Sequence, residues 1–308
     1  MSGQQTSESR AGLLASGFAY LCWGVLPLYL HTVFFADAFE VLAWRILWCI
    51  PAAFVGVILM SGPRGFAEIR TALAPRNLGA LALSAIFIFF NWGIYVWSVA
   101  AHHLAEASLA YFLTPLVQIA FGIAFFGERV NGAQKLALLV AGIGIVVQGV
   151  ALGAPPWISI ALCLTWSLYG LVRKQVDVSA ASGLLMESVI ISPAAVALLV
   201  WVSRGPGLRF DDSFANGALL ALAGPVTALP LILFSFGARR LSFTVLGPMQ
   251  FATPSVQFLL AISFGETVMP LKWISFAIIW VALAIFMWDT LQREQMRRQI
   301  LAREIAAK

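Results

Sequence analysis

Two charged residues stand inside apolar stretches of the chain, where a charge is costly. Arg45 lies about five residues into the run 40–60, and Glu187 about as far into the run 182–202. A charged side chain at membrane depth costs roughly 2.5–3.5 kcal/mol on insertion scales, so such a residue faces a partner or a wet cavity. In chemical terms, Glu187 suits a proton carrier or a contact for a substrate ammonium, and Arg45 a contact for a carboxylate or part of a gate. In structural terms, both are near enough to helix ends to snorkel, in opposite directions. They enter from opposite sides, so a direct Arg45–Glu187 pair is not required.

A second group is histidine-based. His102 and His103 are followed one turn later by Glu106, and His31 falls at the same side of the chain's hydropathy pattern. His103 and Glu106 share a helix face at i,i+3. The group fits an outer gate, a pH-sensing cluster or a cap at the start of the next helix. Metal is the weakest option, because the ligand spacing matches no zinc motif. Glu128 and Glu266 are expected to end their helices and bind neighbouring backbone or basic groups.

A third group is aromatic and amide-bearing: Tyr20, Trp23, Asn91, Trp92, Tyr111, Gln118, Trp166, Tyr169, Gln250 and Gln257. An amide within an apolar helix needs a hydrogen-bond partner, which is either cavity water, a substrate or another helix. Trp and Tyr offer a broad apolar face with one polar atom, suited to amphipathic or cationic substrates. Trp157, Trp201, Trp273 and Trp288 lie near the ends of apolar runs, as interfacial belt residues do.

The elements that must carry these groups are long apolar helices. Of 308 residues 61% are hydrophobic and 11% charged, with a mean hydropathy of +0.90. A spanning helix needs roughly 20 mostly apolar residues. Ten stretches qualify: 12–30, 40–60, 77–98, 104–126, 134–152, 156–172, 182–202, 215–236, 242–264 and 270–288. Little chain is left for a soluble domain. Cys22, Cys49 and Cys163 lie inside the runs without CxxC spacing and are expected to act as small hydrophobes. Met1 to Arg10 lacks a basic n-region and a cleavage site, so the first run is expected to be retained.

The basic net charge of +5 is a topology signal. With the N-terminus inside, Arg10, Arg64, Arg70, Arg76, Arg129, Lys135, Arg173, Lys174, Arg239, Arg240, Arg293, Arg297, Arg298, Arg303 and Lys308 fall on the cytoplasmic side, and only Arg204, Arg209 and Lys272 outside. That asymmetry follows the positive-inside rule and places both termini in the cytoplasm. The expected partners of the basic groups are anionic lipid headgroups, with no nucleic acid. The basic tail 289–308 is expected to continue the last helix as a solvated or surface-lying segment.

The chain also repeats. Thr114-Pro115-Leu116-Val117-Gln118 in the fourth run matches Thr253-Pro254-Ser255-Val256-Gln257 in the ninth, and each run leads to a Gly-Glu pair, Gly127-Glu128 and Gly265-Glu266. Trp23 and Trp166 are central in runs one and six. Five spans per half is odd, so the second half enters the membrane inverted, as in many secondary transporters. Pro115 and Pro254 are expected to break their helices, and Pro27, Pro193, Pro230 and Pro248 to add kinks.

Further segments carry a resemblance: Asn91-Trp92, Trp97, His102-His103-Leu104, Glu106-Ala107-Ser108-Leu109, Tyr111-Phe112, Gly127-Glu128-Arg129, the run Tyr169 to Lys174, and Ile279 to Phe286. Along essentially its whole length the chain resembles RarD-type proteins of the EamA group, in the drug/metabolite transporter superfamily. The resemblance implies a ten-span inner-membrane permease that exports a small metabolite or drug-like compound. The chain departs from the pattern at Trp44, where the family leads one to expect histidine before the arginine.

The expected fold is all-α and integral to the membrane: ten helices as two inverted five-helix repeats, 12–152 and 153–288, between an N-terminal segment 1–11 and the tail. The expected function is alternating-access transport, with proton coupling through Glu187. No GxxxxGK[ST] loop is present, so neither nucleotide nor other cofactor is expected. Absence of HExxH and GxSxG motifs argues against an enzyme. A lipid scramblase or flippase and a non-transporting scaffold are the competing functions.

Overall fold

Why the chain is helical follows from its long apolar runs and the caps that bound them. In the computed structural model, residues 2–62, 64–126, 131–173, 175–238 and 249–306 are described, and the regular structure among them is all α-helical. The helices are α1 (Ser2–Thr32), α2 (Ala38–Ser61), α3 (Arg64–Ala72), α4 (Pro75–Ala100), α5 (Leu104–Phe126), α6 (Gly132–Leu152), α7 (Trp157–Arg173), α8 (Ala180–Arg204), α9 (Phe214–Ala238), α10 (Ala252–Ser263) and α11 (Pro270–Ala306). Asp37 caps α2 by accepting from the Phe39 amide, and Ser179 caps α8 through Ser182. Asn131 and Gln134 form a reciprocal capping box at the start of α6, which Gly153 ends in the left-handed conformation. Each cap satisfies orphan amides that no membrane interior could solvate.

Among the described residues, seven helices are long and apolar enough to cross a membrane: α2, α4, α6, α8, and the apolar portions of α1, α9 and α11. The other three expected runs meet shorter apolar segments, Leu104–Thr114 within α5, α7 and α10. Two differences from the sequence expectations stand out. The amphipathic helix α3 fills what reads as a loop. The run 242–264 is helical from Ala252, while its first part, with Pro248, lies outside the described residues.

The expected helix breaks fare differently. The chain turns at Phe251 and restarts as α10, with Pro254 in its first turn. A first-turn proline loses no intrahelical bond, so the interruption falls three residues ahead of its ring. At Pro115 the backbone stays within α5. Pro27, Pro193 and Pro230 lie inside continuous helices.

The bundle is apolar outside as well as inside. Leu14, Leu59, Leu139 and Val150 are exposed, as are Trp157, Trp201, Trp273 and Trp288, whereas Glu40, Arg45, Asn91 and Glu187 are buried. This inverts the polarity of a soluble surface and suits lipid contact. The N-terminal and C-terminal helices interleave: α2 packs on α8 and α9, α1 on α9 and α10, α4 and α5 on α7, and α6 on α11. One crossing is especially close. A Cβ at Gly224 on α9 would overlap the backbone of Trp48 on α2, so glycine is needed there.

Candidate functional site

The polar side chains gather in three places along the bundle. The first is at the end where α4 turns into α5. The α4 helix closes with a Schellman arrangement, in which the His103 amide donates to Ser98 O (2.7 Å) and the His102 amide to Val99 O (3.3 Å). His102 holds φ +59° there, a position glycine usually fills. The α10 helix ends the same way. Gly265 takes φ +83° and the Glu266 amide returns to Ala261 O. That turn aims the Glu266 carboxylate at the N-terminus of α5, where it accepts from the amides of Leu104 (2.6 Å) and Ala105 (2.9 Å). An anion on the first free amides of a helix is favoured by both hydrogen bonding and the helix dipole.

Beside this cap, Lys272 Nζ on α11 donates to Glu106 Oε1 on α5 at 3.3 Å. His103 Nδ1 lies 3.5 Å from the same oxygen and its ring stacks on Trp97. His102, His103, Glu106, Glu266 and Lys272 line a cavity of about 330 Å³. His102, His103 and Glu106 are thus brought together. Glu266 binds neighbouring backbone, whereas Glu128 lies outside the described residues.

The second place surrounds Arg45, two turns into α2. The side chain does not snorkel: the residue is 6% exposed. Its guanidinium lies over the Trp92 ring, 4.6 Å from the centroid. Nε and Nη1 have no hydrogen-bond partner. The titratable groups close enough to act on it are Cys49, Tyr111, Tyr95 and Tyr29. Among the described residues it enters no ion pair. The buried Tyr95 hydroxyl likewise lacks a partner.

The third place surrounds Glu187 on α8, toward the other end of the bundle. It is fully buried and does not snorkel. Ser84 Oγ donates to its Oε1 at 2.6 Å, and Tyr169 to its Oε2 at 3.3 Å. Arg173 Nε lies 3.5 Å from Oε1. Its partner is therefore the arginine that ends α7, and not Arg45. Arg173 Nη1 has no hydrogen-bond partner. A chain of rings joins the second and third places: Tyr95 to Tyr111 at 6.0 Å, Tyr111 to Trp166 at 6.4 Å and Trp166 to Tyr169 at 5.5 Å.

The remaining expected residues do not line the end cavity. Asn91 Nδ2 is committed to Leu162 O and Thr165 Oγ1, so it ties α4 to α7. Gln257 Nε2 donates to Trp23 O, and Thr253 Oγ1 to Tyr20 O, which ties α10 to α1. Gln257 Oε1 stays unpartnered. Tyr20 and Trp23 pack with Phe234 as an aromatic trio. Gln250 is half-buried just before the turn at Phe251, and the side chains of Gln118 and Pro115 lie outside those described.

With this geometry in place, the relatives become informative. The model of the EamA-like transporter family matches residues 10–149. Protein RarD of Salmonella typhimurium is 37% identical over 293 residues, spanning 94% of this chain and 99% of that protein. The chain is a RarD-type member of the EamA-like transporter family. Protein RarD of Escherichia coli K12 is 38% identical over 94% of this chain and 97% of that one. A solved crystal structure shares the fold, with a TM-score of 0.57 at 18% identity over 89% of this chain and 97% of its own. The protein is thus an integral membrane transporter of the EamA type.

Several site residues of this transporter escape sequence reasoning. Arg173 reads as one more basic residue at a helix end, although its aliphatic stem lets it turn inward. Lys272 reads as an isolated outer charge. Glu40 reads as the edge of an apolar run. It is fully buried and accepts from the Arg209 and Phe210 amides and from Trp44 Nε1. A carboxylate in a row with Trp44-Arg45 is the one available signal. Glu187 is accordingly not alone, since Glu40 and Glu106 are buried too.

Proposed function

We propose that the protein is a ten-helix secondary permease, built as two inverted five-helix repeats, 12–152 and 153–288. It exports a small metabolite or drug-like compound across the bacterial inner membrane by alternating access, with Glu187 carrying the coupled proton. Both termini lie in the cytoplasm, which makes the α4–α5 end the outer one.

The observation that carries this proposal is the closure of that end. Lys272 and Glu266, beyond α10, hold Glu106 and the first amides of α5. These bonds join segments over 160 residues apart and sit at a cavity mouth, so opening requires breaking a small set of polar contacts. Such a discrete closure is what a gated carrier needs and a static scaffold does not. The packing pattern adds support. Numbering the apolar runs one to ten, the pairing of run one with eight and nine has its counterpart in run six with three and four, and runs two with seven and five with ten pair with themselves under the same shift. Two halves related this way give two openings of similar energy.

The test needs no substrate. With the native cysteines replaced, a Tyr111→Cys variant is labelled from outside by a membrane-impermeant maleimide. A second background carries Glu106→Cys and Lys272→Cys joined by a bifunctional crosslinker before position 111 is probed. Labelling of the open background and protection of the locked one are expected. Absence of labelling in both would mean that the outer end never opens and would end the alternating-access proposal.

A further inference from the structure

Arg45 is a buried cation for which the described residues supply no counter-charge. Its partner-free Nε and Nη1 sit at membrane depth, and the groups around it are a tryptophan face, a thiol and tyrosine hydroxyls. Taking a charge out of water without pairing is strongly unfavourable. The Trp92 face offsets only part of that. Glu187, the nearest analogue in the other repeat, is provided with Arg173, Ser84 and Tyr169. Among the described residues Arg45 receives nothing comparable. Glu40, the acid five residues before it, is occupied by the Arg209 and Phe210 amides.

We infer that Arg45 is the receptor for an oxyanion on the transported molecule, a small organic carboxylate seated between Trp92 and the Tyr95 and Tyr111 rings. The inference deepens, and rests on, the carrier function proposed above. A planar guanidinium and a carboxylate match through two parallel hydrogen bonds. The orphaned Tyr95 hydroxyl adds a third donor. One cation in an aromatic setting suits a single negative charge with a flat apolar body, and fits a doubly charged phosphate poorly. The ring series Tyr95, Tyr111, Trp166 and Tyr169 then provides apolar faces along which that body passes toward Glu187.

The oxyanion has two conceivable sources, a free carboxylate or a lipid headgroup, and the experiment separates them. The purified full chain is melted in detergent with benzoate, acetate, inorganic phosphate or dioleoyl phosphatidylglycerol, each against chloride at equal ionic strength. Wild type, Arg45→Met and Arg45→Lys are compared. Benzoate should raise the wild-type Tm saturably, by about 3 °C at ten times its Kd. The shift should vanish in Arg45→Met and weaken at least tenfold in apparent affinity in Arg45→Lys. The lysine variant carries the test should the methionine variant not fold. Equal shifts in wild type and variants, or no carboxylate shift at 100 mM, would overturn the inference. A shift with the phospholipid alone would also overturn it and assign the cation to a headgroup. The maleimide experiment uses no ligand, so the carrier proposal can stand where this one fails.

Discussion

Gly183 lies where the Arg173 guanidinium needs room. A Cβ at that position would overlap the guanidinium, and Gly183 stands one turn before Glu187 on α8. The missing side chain therefore lets a helix-end arginine fold back onto a buried carboxylate. Gly183→Ala should push Arg173 away and leave Glu187 with only Ser84 and Tyr169. The loss expected is about 1–3 kcal/mol of stability, despite alanine's better helix propensity. Thermal unfolding of Gly183→Ala, Arg173→Gln and the double variant checks it. The two changes should be strongly non-additive, because both remove one contact. Additive losses would place the glycine's role elsewhere.

Glu266 is the cap of a helix that belongs to another part of the chain. Replacing it with alanine leaves the Leu104 and Ala105 amides without acceptors at the closed end. The expected loss is about 1–2 kcal/mol. Since Glu266 also helps to hold the outer end shut, Glu266→Ala should speed maleimide labelling of Tyr111→Cys. Unchanged labelling beside a lowered Tm would make the contact structural only.

His102 holds a left-handed backbone that L residues adopt at a cost. His102→Gly relieves that strain and should leave stability unchanged or raise it by about 1 kcal/mol, read as an unchanged or higher Tm. A markedly lower Tm would show that the imidazole itself is needed, through its contact with Phe34.

Glu187 is the proposed proton carrier. Glu187→Gln keeps the shape and the Ser84 and Tyr169 neighbours while removing the titration. Benzoate efflux from proteoliposomes should depend on pH in the wild type and become pH-insensitive in the variant. An unchanged pH profile at comparable rates would remove Glu187 from coupling.

Much of this arrangement is legible in the residues. Hydropathy locates the helices because lipid contact demands about twenty apolar residues wherever a chain spans. Arg45 and Glu187 are legible because charge is so rare there. Gly265-Glu266 is legible as a helix end, and the glycine is what turns the carboxylate back. What stays hidden is which distant helix meets which face. Asn91 looks like a cavity amide until α7 is seen to take its nitrogen. Arg173 looks like a topology charge because sequence shows where a helix ends, but not that the side chain reverses direction. Tyr95 is one aromatic among many, and only burial without a partner distinguishes it.

The interleaving of the helices has a consequence for how the protein is made. Asn91 waits for Leu162 and Thr165, Ser84 for Glu187, Glu40 for Arg209 and Tyr29 for Leu219. Each first member emerges from the ribosome long before its second. At about 5–20 residues per second, the delay is on the order of ten seconds. During that time the early helices carry polar groups that lipid cannot satisfy. Completion of the C-terminal helices is what first gives these groups their partners. A chain halted before α8 would be left with Ser84 and Glu40 short of the partners that Glu187 and Arg209 supply.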